Sequence, residues 1–454
     1  MASTTALKWG AAAVALTWGS AALAQEPPAK APETVSAVET AAEPAPEPPP
    51  PPPPAPTVAE AIAKGKPIFE ARLRYETVDQ VGIVNKADAR TLRTRLGWET
   101  GAFHGLKALV EFEDVRRWGP ERYNIAVPGV VGGSLNGKTQ YPIVNDPKVT
   151  ELNRAQLSWV VGPALTLVGG RQRILLDDQR FVGNVGWRQD EQTFDGIRAD
   201  FALGRIKGTY AYISHVNRIF GEAKDWTSDS HLLNVSYSVA EPLKLQGFVY
   251  ALDFGNSPIN STKTWGAKAS GKTWVSLFQV AYNATWAHQS DYRHNTAPFS
   301  LDYWGGDVAA TFDIWTAKAS YEVLDGDGTR GFITPLATTH GFQGWADAFA
   351  AVSGNKTFVD GIKDLNLQLV ARPRFKMQYL YNFEFLARWH DFDAQRTGAA
   401  LGHEWDLQAT AAVTPTLSVG LKYADFERVT VVAPGTAAPP ASRNKFWFTL
   451  EYRL

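Results

Sequence analysis

The strongest constraint on this chain is a two-residue alternation of apolar and polar side chains that returns again and again. Its clearest instance is the stretch Asn444 to Leu454. Phe446, Phe448, Leu450, Tyr452 and Leu454 share one parity, and Trp447, Thr449, Glu451 and Arg453 share the other. Successive side chains of a strand point to opposite faces, so this segment has one apolar and one mostly polar face. An apolar face can pack on a second sheet or against lipid. In the lipid case the polar face lines a water-filled lumen.

The same alternation starts at Phe69. Ala71, Leu73 and Tyr75 oppose Glu70, Arg72, Arg74 and Glu76. Leu92, Leu96 and Trp98 oppose Arg93, Arg95 and Glu99, and Leu106, Ala108, Val110 and Phe112 oppose Lys107, Glu111 and Glu113. Further strands centre near Leu157, Leu167, Ile197, Tyr210, Val235, Leu245 and Ala267, then Val280, Val308, Tyr321, Leu367, Phe385, Leu407 and Leu421. With the last segment the count is about eighteen, enough for a barrel with an aqueous interior.

The connections choose between the two readings. Short turns are expected at Gly101–Gly105, Gly162-Pro163, Leu203-Gly204, Glu241-Pro242, Gly271-Lys272, Asp313, Arg372–Arg374 and Thr414-Pro415. The stretches between them are longer, above all 114–150 and 325–360. Strict alternation of short and long connections is the habit of up-and-down barrels of the outer membrane, with short periplasmic turns and long external loops. The expected fold is therefore all-β: a transmembrane antiparallel up-and-down β-barrel over 67–454. An even strand count puts both ends in the periplasm. The two longest connections can reach over or into the mouth, and His340 to Ala351 has the pattern of a short amphipathic helix.

Composition agrees. The 454 residues include 16 Trp but no Cys, and the net charge is −1. Trp favours membrane interfaces. Absence of Cys removes disulfides and thiolate metal sites, and a near-neutral charge gives no reason to expect nucleic acid. Residues 1–24 read as a signal peptide, with Lys8, an apolar core and the small-x-small site Ala22-Leu23-Ala24. Residues 25–66 are rich in Ala, Pro and Glu and include seven consecutive prolines, Pro48 to Pro54. Such a segment cannot bury a core and is expected to be an extended, disordered periplasmic linker. Peptidoglycan or a periplasmic secretion partner is its candidate target. Thr57 and Glu60 have capping-box spacing, which predicts a helical turn over Thr57–Ala63.

On the alternation, the inward basic residues include Arg72, Arg74, Arg93, Arg95 and Lys107, followed by Arg154, Arg198, Arg388 and Lys422. Glu111, Glu404 and Asp406 are inward carboxylates. Arg171 and Arg173 share the parity of Leu165 and Leu167, so they reach the lumen only if a bulge at Gly169-Gly170 shifts the register. An arginine fork grips a carboxylate bidentately and stays charged at any physiological pH. Basic residues in series can pass an anion along a pore. Opposite charges across neighbouring strands also stabilise any sheet, so wall charge alone does not establish selectivity.

Several motif matches fail on context. Gly132 to Thr139 fits a phosphate loop, but Pro142 and Pro147 follow where a helix must begin. Gly326-Asp327-Gly328-Thr329-Arg330-Gly331 fits the dinucleotide glycines without a βαβ unit. Asp325 and Asp327 open a calcium-loop pattern whose twelfth position is Leu336, not Glu. No nucleophile elbow occurs, no cofactor is expected, and the chain does not read as an enzyme.

A family resemblance rests on longer stretches. Gly170-Arg171-Gln172 precedes Asp178, Arg180, Gly183 and Trp187, then Thr193-Phe194-Asp195-Gly196. Phe332-Ile333-Thr334-Pro335-Leu336 leads to His340-Gly341-Phe342-Gln343-Gly344-Trp345-Ala346-Asp347-Ala348-Phe349, and later come His390-Asp391-Phe392 and Gly402-His403-Glu404-Trp405-Asp406. From about Pro67 onward the chain resembles the alginate export family of outer-membrane barrels. That resemblance implies a monomeric eighteen-stranded barrel with a narrow, positively charged pore that passes an acidic polysaccharide, and the inward arginines above would line it. The turn at Thr414-Pro415 is too short for the plug loop of the alginate exporter itself, and the proline linker lies outside the family pattern. The alternative is a porin for another small anionic or aromatic solute.

Overall fold

The structure is a computed structural model, and it describes residues 57–126, 133–349 and 358–454. The expected signal peptide, most of the expected linker, Gly132 of the phosphate-loop match and positions 350–351 of the expected helix lie outside these residues.

Eighteen antiparallel strands form one sheet. They are β1 (Lys66–Gln80), β2 (Ala87–Glu99), β3 (Leu106–Arg117), β4 (Val149–Val161), β5 (Leu165–Gln172) and β6 (Thr193–Leu203). Then come β7 (Ile206–Asn217), β8 (Trp226–Ala240), β9 (Leu243–Leu252), β10 (Thr262–Val275), β11 (Phe278–Asp291) and β12 (Ser300–Phe312). The last six are β13 (Trp315–Leu324), β14 (Ile362–Ala371), β15 (Tyr381–Ala394), β16 (Ala400–Thr414), β17 (Leu417–Arg428) and β18 (Arg443–Arg453). Each strand pairs with its sequence neighbours, and β1 also pairs with β18. That last pairing closes the ring and removes both sheet edges, as a hydrocarbon environment demands.

The alternation sorts side chains as expected. Phe112, Leu157, Ile197, Trp304, Leu367 and Trp405 are exposed on the outside. Arg93, Glu111, Glu113 and Trp447 are buried on the inside. In β18 the inward residues are Lys445, Trp447 and Glu451, and Phe446, Phe448 and Leu450 face outward. Trp265, Trp286 and Trp304 line up across β10, β11 and β12, the first pair T-shaped and the second tilted, with centroids 4.9 and 6.1 Å apart.

Three expectations need correction. Gly271-Lys272 is not a turn. β10 runs on through Trp274 and Val275, and the chain reverses at 276–277, where Ser276 takes φ +54°. Short and long connections do not alternate without exception: the periplasmic connection 372–380 is longer than the external one, 395–399. His340 to Phe349 forms one 3-10 turn, Thr339–Gly341, followed by irregular backbone. Gly341 and Gly344 interrupt any α-helix there, and Gly344 sits at φ +80°, where a Cβ would collide with the Glu404 carboxylate.

At the periplasmic end, helix α1 (Val58–Ala63) begins at Thr57, whose hydroxyl accepts from the Glu60 N–H at 3.1 Å. The helix docks on the rim. Trp98 Nε1 donates to the Ile62 carbonyl at 3.1 Å, and the Gly101 N–H donates to the Ala61 carbonyl at 2.8 Å.

Candidate functional site

The lumen is not an empty tube. Segment 173–192, which joins β5 to β6, folds inward across β1, β2 and β3. Those strands set Arg72, Arg74, Arg93, Arg95, Glu111 and Glu113 on one inner face. The register puts Arg95 opposite both Glu70 and Glu113, and Arg72 opposite both Arg93 and Glu451. Arg72 meets Glu451 at 2.8 Å, and Arg93 bridges Glu70 and Glu451 at 3.1 and 3.2 Å. Arg95 pairs with Glu113 and reaches Glu70 and Glu191 at 3.2 Å each. The inward segment completes this network. Arg72 donates to the Gly186 carbonyl at 2.9 Å, and Gln189 Nε2 donates to Thr91 Oγ1 at 2.9 Å. Glu191 accepts from Arg173 at 2.7 Å and from Asn153 at 2.6 Å. Burial alone would raise the Glu191 carboxyl, but Arg173 and Arg95 outweigh it and hold it far below its usual range.

The described residues of the β13–β14 connection up to Phe349 fold inward against β16, β17 and β18, which adjoin β1 across the closing seam. Glu404 and Asp406 on β16 accept the Ala346 and Trp345 N–H groups at 2.6 and 3.2 Å. Lys445 holds Asp347 at 2.6 Å, and Lys422 lies 3.6 Å above the Trp345 ring. Burial would raise the Asp347 carboxyl, but Lys445 and His340 pull it strongly down. The two inward segments meet where His340 stacks on Trp187, with ring centroids 3.3 Å apart. Burial, reinforced by Lys422, pushes the His340 imidazole well below its ordinary value, so the ring is neutral at pH 7.

Two cavities occupy part of the space left over. Both open to solvent, with about 930 Å³ of space at the inner one and about 1130 Å³ at the outer one. Both are lined by Arg180 and Gln343, which therefore stand at the junction between them. In the inner cavity most cations have an acidic neighbour. Lys268 meets Asp178 at 2.9 Å, Lys318 meets Asp307 at 3.0 Å, and Arg180 meets Glu322. The outer cavity is different. Its lining holds Arg180, Arg188, Arg218, Arg443 and Lys445 with one carboxylate, Asp347; of these cations Arg180 is paired with Glu322, Arg188 with Glu76 at 3.0 Å and Lys445 with Asp347. Arg218 and Arg443 are in no ion pair among the described residues. Burial lowers the Arg218 guanidinium to about 9, which leaves it charged at neutral pH, and its Nη1 is buried without a hydrogen-bond partner.

The sequence-derived residues therefore fall into several places. Arg93, Arg95, Arg154, Arg173 and Glu111 join one network, in which Arg154 grips Glu111 bidentately at 2.9 and 2.6 Å. Arg74 lies beside it with its guanidinium 5.4 Å from the Trp187 ring. Arg198 donates to the Arg173 carbonyl at 2.8 Å and pairs with Asp200 at 2.9 Å. Arg388 lines the inner cavity and donates to Gln368 at 2.9 Å, while Glu404 and Asp406 anchor the second segment. Lys107 is half exposed at the periplasmic rim, 3.2 Å from Glu99. Arg171 stands apart. The β4–β5 register runs through Gly169 and Gly170 without a shift, and the bulges fall instead at Asn153 on β4 and Ser214 on β7. Arg171 thus keeps the outward parity of Leu165 and Leu167 and is held by Asp195 at 2.8 Å. Arg180, Arg188, Arg218, Arg443 and Lys445 were not among the expected site residues. Asp178 and Arg180 lie in the stretches that carry the resemblance, which was the available signal.

The model of the family described as alginate export matches residues 68–304. The chain belongs to the alginate export family. This alginate-export barrel is also similar in fold to solved porins. Pseudomonas aeruginosa OccK9 (OpdG) is 12% identical, with TM-score 0.64 over 87% of this chain and 100% of that one. Pseudomonas aeruginosa OpdK, solved with vanillate, is 15% identical, with TM-score 0.61 over 87% and 99%. Acinetobacter baumannii OccAB1 is 10% identical, with TM-score 0.64 over 87% and 97%. No curated protein matches the chain in sequence. Family and fold together make it an outer-membrane channel.

Proposed function

We propose that this channel passes anionic saccharides, uronates first among them, which enter through the outer cavity and cross the junction at Arg180. The carrying observation is the two guanidinium groups lining the outer cavity, Arg218 and Arg443, that are in no ion pair among the described residues. Guanidinium forks at a low-dielectric mouth concentrate carboxylates and bind them bidentately. The wall arginines act differently in this reading. They are already held by glutamates, so they weaken binding along the path and keep a passing anion from being trapped.

A second reading, a small aromatic carboxylate as solute, is favoured by the ring-lined inner cavity, where Phe181, Tyr303 and Phe342 lie. The structure of OpdK with vanillate gives it a precedent. Single-channel current in planar bilayers tests both. Oligouronates of graded length should block an anion-selective current far more strongly than neutral oligomers of equal length. A cation-selective current with equal block by both sets would remove the proposal. Stronger block by vanillate than by monomeric glucuronate would favour the second reading.

A further inference from the structure

Where segment 173–192 passes β3 and β4, three carboxylates converge: Glu113, Glu151 and Asp190. One oxygen from each lies within 4.8 Å of the other two. Glu113 has a cation of its own, Arg95. Glu151 and Asp190 are in no ion pair among the described residues. The Asp190 side chain is wholly buried, and neither of its oxygens has a hydrogen-bond donor. Glu151 Oε1 is likewise buried without one. An unpaired carboxylate out of water is costly, and two side by side are more so. Two carboxyls without an ion-pair partner, converging inside the wall, offer the hard oxygens and the charge that one divalent cation would take.

We propose that Glu113, Glu151 and Asp190 hold a calcium ion that clips the inward segment 173–192 to the barrel wall. The donors are all hard carboxylate oxygens. No imidazole or thiolate is among them, which turns the site away from zinc and copper. Magnesium keeps several waters in a strict octahedron, whereas calcium accepts irregular carboxylate cages. Asp190, with no exposed surface, has little room for a water shell. Asp190 precedes Glu191, which is tied to Arg95, Arg173 and Asn153. A cation there fixes the same stretch of backbone from its other side. This inference does not depend on which solute the channel carries.

The competing arrangement is a proton shared among the carboxyls, and metal content separates the two. The full chain, purified in detergent, stripped with EGTA and dialysed into calcium chloride with excess magnesium, should carry one calcium more than the Asp190→Asn and Glu151→Gln variants. Calcium should raise the temperature at which the wild-type barrel loses its compact gel mobility and should not raise it in either variant. In EGTA the variants should match or exceed wild type, because each removes an uncompensated charge. Equal calcium content in all three proteins, or a wild-type barrel whose thermal transition ignores calcium, would overturn the proposal.

Discussion

Replacing Arg180 with Gln reports directly on the junction between the two cavities. Arg180 is nearly fully buried and pairs with Glu322, while its ring contacts are Phe342 at 4.7 Å and Tyr303 at 5.5 Å. Removing the guanidinium leaves Glu322 with only neutral donors, Gln343 and the Tyr303 hydroxyl. The local charge falls by one at a residue that lines both cavities. An anion passing about 6 Å away then meets about 0.7 kcal/mol of repulsion in a water-like dielectric and about 2.8 kcal/mol at an effective dielectric near 20. Those limits correspond to roughly a 3-fold and a 100-fold loss of anion occupancy at that point. The assay is the reversal potential across a planar bilayer under a potassium chloride gradient. Salt must be kept low on both sides, because the screening length is about 8 Å at 0.15 M. Arg180→Gln should shift the reversal potential toward the cation value, and Arg180→Lys should stay near wild type. Coincident reversal potentials for wild type and Arg180→Gln at low salt would refute the placement of Arg180 on the conduction path.

Glu191→Gln removes the partner of Arg95 and Arg173 and should loosen segment 173–192 by about 3–5 kcal/mol, the cost of breaking a buried pair from one side. Faster hydrogen exchange at 186–191 checks this, and unchanged exchange contradicts it. His340 has a folded-state value held below the ordinary value of about 6.5, so the unfolded state binds the extra proton. Its contribution to holding residues 339–349 in place is complete above pH 6.5 and is lost as pH falls below it. Current noise should therefore rise between pH 7 and 5 in wild type and rise less in His340→Gln, and identical pH profiles would exclude His340. Thr57→Ala should cost helix α1 about 1 kcal/mol, visible as faster amide exchange over 58–63 with an unaltered barrel transition. Leu367→Arg puts a charge on the lipid face of β14 and should lower folding yield into bilayers by about 2–4 kcal/mol if it lies near the midplane; an unchanged yield would deny that face to lipid.

The barrel wall was legible because two phases act on every strand. Leu367 must meet hydrocarbon and Gln368 the lumen, so the alternation repeats wherever the sheet crosses. Turn positions were legible where backbone chemistry enforces them, as at Gly204 and Asp313, both at positive φ. Ser276-Leu277 carries no such mark, and Gly271-Lys272 carries a false one inside β10. The inward segments were not legible. Asp190 and Glu191 read as loop residues suited to water. Glu191 is buried on Arg95, Arg173 and Asn153, which are distant or unpatterned in sequence, and Asp190 follows with it. The same limit hid the outer cavity, whose cations come from loops and strand ends with no shared period. For Arg171 a family motif pointed inward, and an unshifted register set it on the other face.

The β1–β18 seam has a consequence for assembly. Arg72 and Glu451 meet across it although they are 379 positions apart in sequence. Bringing ends that far together costs on the order of 5 kcal/mol of chain entropy before any contact rewards it. Zipping can proceed hairpin by hairpin around the wall, but the final suture waits until both terminal strands are in place. Glu451, holding Arg72 and Arg93 at once, is then the clasp that fastens last.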